Sequence, residues 1–392
     1  PMAEALWTTP SSRRDELEHF ARSRPEIAAY ARFRGEREGE GPAADRATGY
    51  HLYAQWAAEQ QLEAVGERLL LDFPVGVHPD GFDAAWRSSS FAGGAEVGAP
   101  PDTFFEQGQR WGFRPMHPRA IREDGYRYLI DCLRHVMRRA GVLRLDHVMS
   151  LQRLYWVPDG YDATHGVYVR YPLEELRAVV CVEAARSATA VVGEDLGTVP
   201  GEVRAAMTQD RMLRTWVLQL EMQGPGERLP TPTEMSVASL GTHDLPRFAA
   251  WWGAGAADAL RPCLDHLAGG PSRMVMVDIE DLWLERRPHN RPGTTTGNWR
   301  HRSDRTLEEL KTTADLLARV DRLRREGGDA ARAPTSLDAA APGSGTPAAA
   351  VPAPTLRAPA RAGTTPAGPE PPVRRRRRWW RGGERGDPGG QR

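Results

Sequence analysis

Tyr126-Arg-Tyr-Leu-Ile-Asp-Cys-Leu-Arg-His-Val-Met-Arg-Arg-Ala-Gly-Val-Leu-Arg-Leu-Asp146 decides the fold class of this chain. Tyr126 to Ala140 has the apolar spacing of a helix. Val142-Leu-Arg-Leu145 then reads as a short apolar strand, and Asp146 stands directly behind it. The same unit recurs on both sides. Tyr50 to Leu70, with Leu52, Trp56, Leu62 and Val65 near the 3.6 period, leads into Leu69-Leu-Leu71 and Asp72. Leu173 to Ala188 leads into Ala190-Val-Val-Gly193 and Glu194. Three more apolar runs follow: Thr215 to Leu218, Ser236 to Leu240 ahead of Gly241-Thr-His-Asp244, and Met274 to Val277 ahead of Asp278. Apolar strands between helices imply a parallel sheet covered on both faces. The spacing of the later runs, roughly 35 to 50 residues, suits a (β/α) barrel with loop insertions.

The ends of barrel strands share one rim, so Asp72, Asp146, Glu194, Asp244 and Asp278 are expected to converge there. A set of carboxylates without clustered His or Cys fits two chemistries. One is hard-cation binding, and the other is glycoside chemistry by paired carboxyl groups. No DxDxDG calcium loop and no Walker-type glycine loop occurs, and no metal or organic cofactor is implied. The twelve tryptophans favour sugar, because flat aromatic faces suit pyranose rings. Trp111, Trp156, Trp216, Trp251, Trp252 and Trp299 fall beside the expected rim. Arg144, two residues before Asp146, points to the same side and is expected to keep Asp146 ionised.

Composition narrows the class further. No apolar stretch approaches the ~20 residues of a membrane span, and Pro1 to Thr9 lacks a basic start followed by an apolar run. Cys132, Cys181 and Cys263 are widely spaced and odd in number, which fits a reducing cytoplasm. The zero net charge divides unevenly: 333–392 holds ten arginines against four acids, leaving 1–332 at −6. An acidic body argues against a nucleic-acid-binding core. From about Gly327 the chain is Ala, Pro, Gly, Ser and Thr, a composition that cannot offset its ordering entropy. Its Arg374 to Arg378 run is a weak candidate for anionic partners.

Arg144-Leu-Asp-His147 with Leu151, Arg153 and Trp156-Val-Pro158, then Gly193-Glu-Asp-Leu-Gly197, then Gly241-Thr-His-Asp244, resembles the amylomaltase (disproportionating enzyme) family of 4-α-glucanotransferases. Gly98-Ala-Pro-Pro-Asp102 with Gly108-Gln-Arg-Trp-Gly112, Asp72-Phe-Pro-Val-Gly-Val77 with Asp83 and Trp86, and Asn290-Arg-Pro-Gly293 with Asn298-Trp299-Arg300 extend the likeness in order from about Tyr53 to Arg302.

The resemblance implies roles. Asp146 matches the nucleophile, Glu194 the acid/base, and Asp244 the acid that holds the hydroxyls of the ring under attack. Arg144 and His243 match groups that stabilise the nucleophile and the developing charge. Gln109 and Trp111, with Asp102 in the same loop and Asp72 in the third-strand region, are the remaining substrate-binding candidates. Neighbouring acids, Asp146 and Asp195 or Asp244, are expected to raise the pKa of Glu194. Donor and acceptor would be α-1,4-linked maltooligosaccharides, with an α-glucan hydrolase or a non-catalytic glucan-binding fragment as alternatives.

The expected fold class is α/β, a (β/α)8 TIM-barrel type that is incomplete, the family's first two strands being absent. The resemblance makes 1–49 a helical insertion of short helices and 50–328 a partial catalytic barrel, and composition makes 329–392 a disordered Pro/Ala/Gly/Arg-rich tail. The chain is therefore expected to be truncated at its N-terminus.

Overall fold

The structure, a computed structural model, describes residues 10–331 apart from 103, 104, 293 and 295. Its strands are β1 (Leu70–Phe73), β2 (Ala95–Ala99), β3 (Gln109–Arg110), β4 (Val142–Leu145), β5 (Arg153–Pro158), β6 (Val167–Arg170), β7 (Ala190–Gly193), β8 (Leu213–Val217), β9 (Ser236–Ser239) and β10 (Met274–Met276). β1, β4, β7, β8, β9 and β10 lie side by side in that order, all parallel. Spatial order follows chain order, so each crossover steps the same way, as in a (β/α) barrel. A doubly wound sheet reverses direction instead. The six apolar runs are thus the six strands of this sheet. Among the described residues it is open, with one free edge on β1 and one on β10.

Register fixes the site. Asp72 pairs with Arg144, Phe73 with Leu145, and Leu145 with Gly193. Asp146 and Glu194 therefore follow matched positions on neighbouring strands. The strands are largely apolar because both faces are covered: Leu143, Leu145, Val191, Val192, Val237 and Ala238 are all buried. The helix Arg127–Met137 buries Leu129, Leu133 and Met137, and the helix Leu173–Ser187 buries Leu176 and Val180 in the same cluster. Full burial of such a side chain is worth about 1.5–3 kcal/mol, more than a typical surface ion pair. A second cluster joins Trp216, Leu218, Leu240, Phe248, Leu264 and Leu267.

A smaller antiparallel sheet, β3-β2-β5-β6, was not legible in the sequence. Its segments leave the main sheet after β1 and after β4, on the side of the strand ends, so it belongs to the rim. Helices run across two of the expected boundaries. Residues 12–65 form three helices, Ser12–Ser23, Pro25–Glu38 and Pro42–Val65, and the last runs straight through position 49/50. Pro25 and Pro42 start helices at positions where proline is favoured, and Gly49 is tolerated within the third. At the other end the helix Ala314–Ala331 passes Gly327 and reaches into the expected tail, carried by Leu316, Val320 and Leu323 on the core. The rest of the 329–392 segment, with Arg374 to Arg378, lies outside the described residues. No described helix is long and apolar enough to cross a membrane.

Candidate active site

The site begins at the end of β4. Arg144 spans two carboxylates: Nη1 donates to Asp72 Oδ1 at 2.6 Å, and Nη2 lies 2.9 Å from Asp146 Oδ1. The Asp146 amide donates to the Phe73 carbonyl at 3.0 Å, which fixes the strand end against β1. Burial pushes the Asp146 carboxyl above its ordinary value, and Arg144 opposes that shift. Arg144, expected to keep Asp146 ionised, thus acts toward the charged form, while burial is the larger influence on the carboxyl.

Glu194 ends β7 and is 9% exposed. Its Oε1 accepts the Leu196 amide at 2.8 Å and its Oε2 the His147 amide at 3.0 Å. His147 reaches that carboxylate from a left-handed backbone, φ +47°. Burial pushes Glu194 up to about 6; the Asp146 charge adds to the rise, while the two amides and Arg144 oppose it. Neighbouring acids are therefore not the leading cause. Asp195 turns away, accepting from Arg214 Nε at 2.6 Å and from the Thr215 amide at 3.1 Å.

Asp244, in the loop after β9, lies 3.2 Å from His243 Nε2 and accepts from Asn290 Nδ2 at 2.6 Å. Burial pushes Asp244 up, but these partners outweigh it and hold the carboxyl below its ordinary value. The same contact raises His243. Arg144 appears among the charges acting on Asp146, Glu194, His243 and Asp244, so these groups share one electrostatic field.

Gln109 lies on β3, and its Oε1 accepts from Trp111 Nε1 at 3.2 Å. The Trp111 ring stands edge-on to His147 with centroids 5.3 Å apart, which brings this loop to Glu194. Asp102 Oδ1 accepts the Phe105 amide at 2.7 Å and so shapes its own turn. Asp278 follows β10 as expected, where it caps the helix Ile279–Leu282 and pairs with Arg247 at 2.5 Å. Most of the rim tryptophans prove to be packing residues. Trp216 is buried, Trp251 and Trp252 pack on the same cluster, and Trp156 packs on the other core while donating to Tyr171. Asn290 and His147 have no role legible in the sequence; their contacts with Asp244 and Glu194 supply one. Among the described residues no three His, Cys, Asp or Glu side chains gather as a metal site.

A parallel α/β sheet with carboxylates at matched strand ends is the kind of scaffold on which paired-carboxyl enzymes are built. The chain belongs to the 4-alpha-glucanotransferase family, whose model matches residues 16–307. It is 32% identical over 317 residues to the 4-alpha-glucanotransferase of Mycobacterium tuberculosis, an alignment covering 65% of this chain and 44% of that protein. Against the Haemophilus influenzae 4-alpha-glucanotransferase it is 35% identical over 213 residues, covering 52% of this chain and 30% of that one. The amylomaltase structure from Corynebacterium glutamicum superposes with a TM-score of 0.69 at 27% identity, covering 82% of this chain and 58% of that one. Streptococcus agalactiae amylomaltase, solved with acarbose, gives 0.69 at 18% identity over 81% and 75%, a likeness of fold. The chain spans less than half the length of these curated relatives.

Proposed function

We propose that this chain carries the catalytic acids of a 4-α-glucanotransferase that moves α-1,4-glucan segments between maltodextrin chains by retaining double displacement. Asp146 attacks the anomeric carbon of the donor as its bond to the departing oxygen breaks. Glu194 gives that oxygen its proton, leaving a β-glucosyl-enzyme. Glu194 then takes the proton of an incoming 4-hydroxyl, which displaces Asp146. Asp244, held by His243 and Asn290, binds hydroxyls of the ring under attack. A cytoplasmic setting belongs to this reading, consistent with the free cysteines Cys132, Cys181 and Cys263.

One observation carries the proposal: Asp146 and Glu194 follow paired residues Leu145 and Gly193, and the charge of Asp146 helps push Glu194 up to about 6. Neighbouring strands lie about 4.8 Å apart. Side chains that follow adjacent strands can reach the ~5 Å carboxyl gap retaining chemistry demands. The test is incubation with maltotriose. Glucose plus chains longer than maltotriose supports transfer, whereas glucose and maltose alone would make the protein an α-glucan hydrolase.

Among the described residues β1 and β10 each have one unpaired edge, which supports a second reading, glucan binding without turnover. An open rim admits water and weakens the electrostatics of the site. Retained maltoheptaose binding with no product from maltotriose would select it.

A further inference from the structure

Among the described residues Trp299 is the most exposed tryptophan, at 62%. It is also strained, with φ +58°, a region that a bulky residue keeps only where its surroundings impose it. They do. Asn298 laces the preceding loop: its Oδ1 accepts the Arg291 amide at 3.1 Å and its Nδ2 donates to the Thr294 carbonyl at 3.0 Å. The Trp299 amide then donates to the His289 carbonyl at 2.8 Å.

The ring is supported from one side. The His289 imidazole lies nearly parallel to it, 9° between planes and 6.1 Å between centroids. His289 Nε2 is itself fixed by Glu280 Oε2 at 2.7 Å, and Glu280 by the buried Arg247 at 2.5 Å. The His243 ring lies 5.4 Å away at 47°, and His243 binds Asp244. Asn290, next in sequence to His289, binds the other oxygen of Asp244. A rigid indole therefore stands beside the third acid with much of its surface open to water.

We propose that Trp299 is a stacking platform for a glucosyl ring adjoining the one held by Asp244. The occupant is a neutral α-1,4-glucan, because the apolar C–H face of a pyranose fits an indole face, and His243, in ring contact with Trp299, with its partner Asp244 and Asn290 on that same carboxylate, suits hydroxyls. The inference rests on the glucanotransferase reading and adds to it a residue that holds a neighbouring glucosyl ring.

The test titrates maltoheptaose into the full chain carrying Asp146→Asn, which halts turnover. Trp299→Ala is expected to weaken binding about tenfold, and Trp299→Phe, which keeps a flat ring, by no more than about threefold. Equal binding by the Ala variant and its parent overturns the platform and leaves the functional reading standing. No binding by the parent overturns both. A footprint on the chain with native Trp299 guards against misfolded variants: maltoheptaose should slow N-bromosuccinimide oxidation of Trp299 at least fivefold, but not that of Trp86, which is 51% exposed and stacks on Phe82. Equal oxidation of Trp299 with and without sugar also overturns the platform.

Discussion

The His147 amide donates to Glu194 Oε2 at 3.0 Å, while the Glu194 amide donates to the Leu145 carbonyl at 2.9 Å. The turn after β4 and the end of β7 therefore hold each other. Two main-chain donors, from His147 and Leu196, favour the ionised carboxylate. Burial favours the neutral acid and prevails, which leaves Glu194 poised near 6. An acid/base needs such a value, because it must give a proton in one step and take one in the next.

This balance sets a pH profile. Asp146 must be ionised and Glu194 protonated for the first step. The kcat/KM for maltotriose should fall as pH rises through about 6, the Glu194 value. It should fall again on the acid side, at a pH above that of an ordinary aspartate, because Asp146 is raised. The profile is a bell centred on the acid side of neutrality. A basic limb near pH 8 would assign the proton to some other group.

Asp146→Asn should reduce transfer at least about a thousandfold, since an amide is a very poor nucleophile. Arg144→Met tests the neighbouring charge. Arg144 lowers the Asp146 pKa, so its removal should move the acid limb to higher pH as well as cutting kcat about a hundredfold. A lower kcat with an unmoved acid limb would make Arg144 a packing residue for this purpose.

Asn290→Ala removes the 2.6 Å donor to Asp244 and should cost about tenfold in kcat/KM. Asn290→Asp goes further, placing a like charge beside Asp244, so its loss should exceed that of the Ala variant at pH 7 and narrow toward pH 4. Steady-state kinetics at the two pH values separates these cases.

The strands were legible because the main sheet buries both faces. Val142-Leu143-Arg144-Leu145 and Ala190-Val191-Val192-Gly193 are nearly continuous apolar runs, and each ends in its acid. The second sheet was not legible: β2 is Ala95-Glu-Val-Gly-Ala99 and β3 has two residues, too short for either period to show. Nor could sequence sort the acids that follow strands. Asp146 and Asp278 look alike until Arg247, 31 positions before Asp278, is seen to claim the latter. Tryptophans posed the same problem. Packing by Leu218 and Phe248 keeps Trp216 dry, while the lacing of Asn298 leaves Trp299 in water.

Asp281 offers a stability test away from the acids of the site. Burial pushes it up to about 6 from 3.8, and its Oδ1 accepts the Phe248 amide at 3.0 Å. A carboxyl raised by folding binds its proton more tightly in the native state, so its stability contribution falls as pH rises from about 4 to 6 and stays lost above. Asp281→Asn keeps an acceptor for Phe248 and removes the charge. The variant should gain about 2 kcal/mol at pH 7.5 and nothing near pH 3.5, read from urea unfolding at both values. An equal gain at both values would mean that charge is not the cause.

Gly193 couples stability to the site. A Cβ there would meet Met207 Cε at 2.7 Å and Val148 Cγ2 at 2.9 Å. The methionine end can swing aside, but Val148 is branched and completely buried, and its amide donates to the Glu194 carbonyl at 3.0 Å. Gly193→Ala should therefore cost about 1–3 kcal/mol by overpacking. Gly201, first residue of the helix Gly201–Gln209, has open space where a Cβ would go, and Gly201→Ala should be neutral or stabilising by about 0.5 kcal/mol. Since Val148 follows His147, displacing it also slackens the amide on Glu194, so Gly193→Ala should lower kcat beyond what its unfolded fraction explains. Urea midpoints for both variants, with kcat measured well below the Gly193→Ala midpoint, decide the matter: a destabilised variant with unchanged kcat would confine Gly193 to packing and free Glu194 from its dependence on Val148.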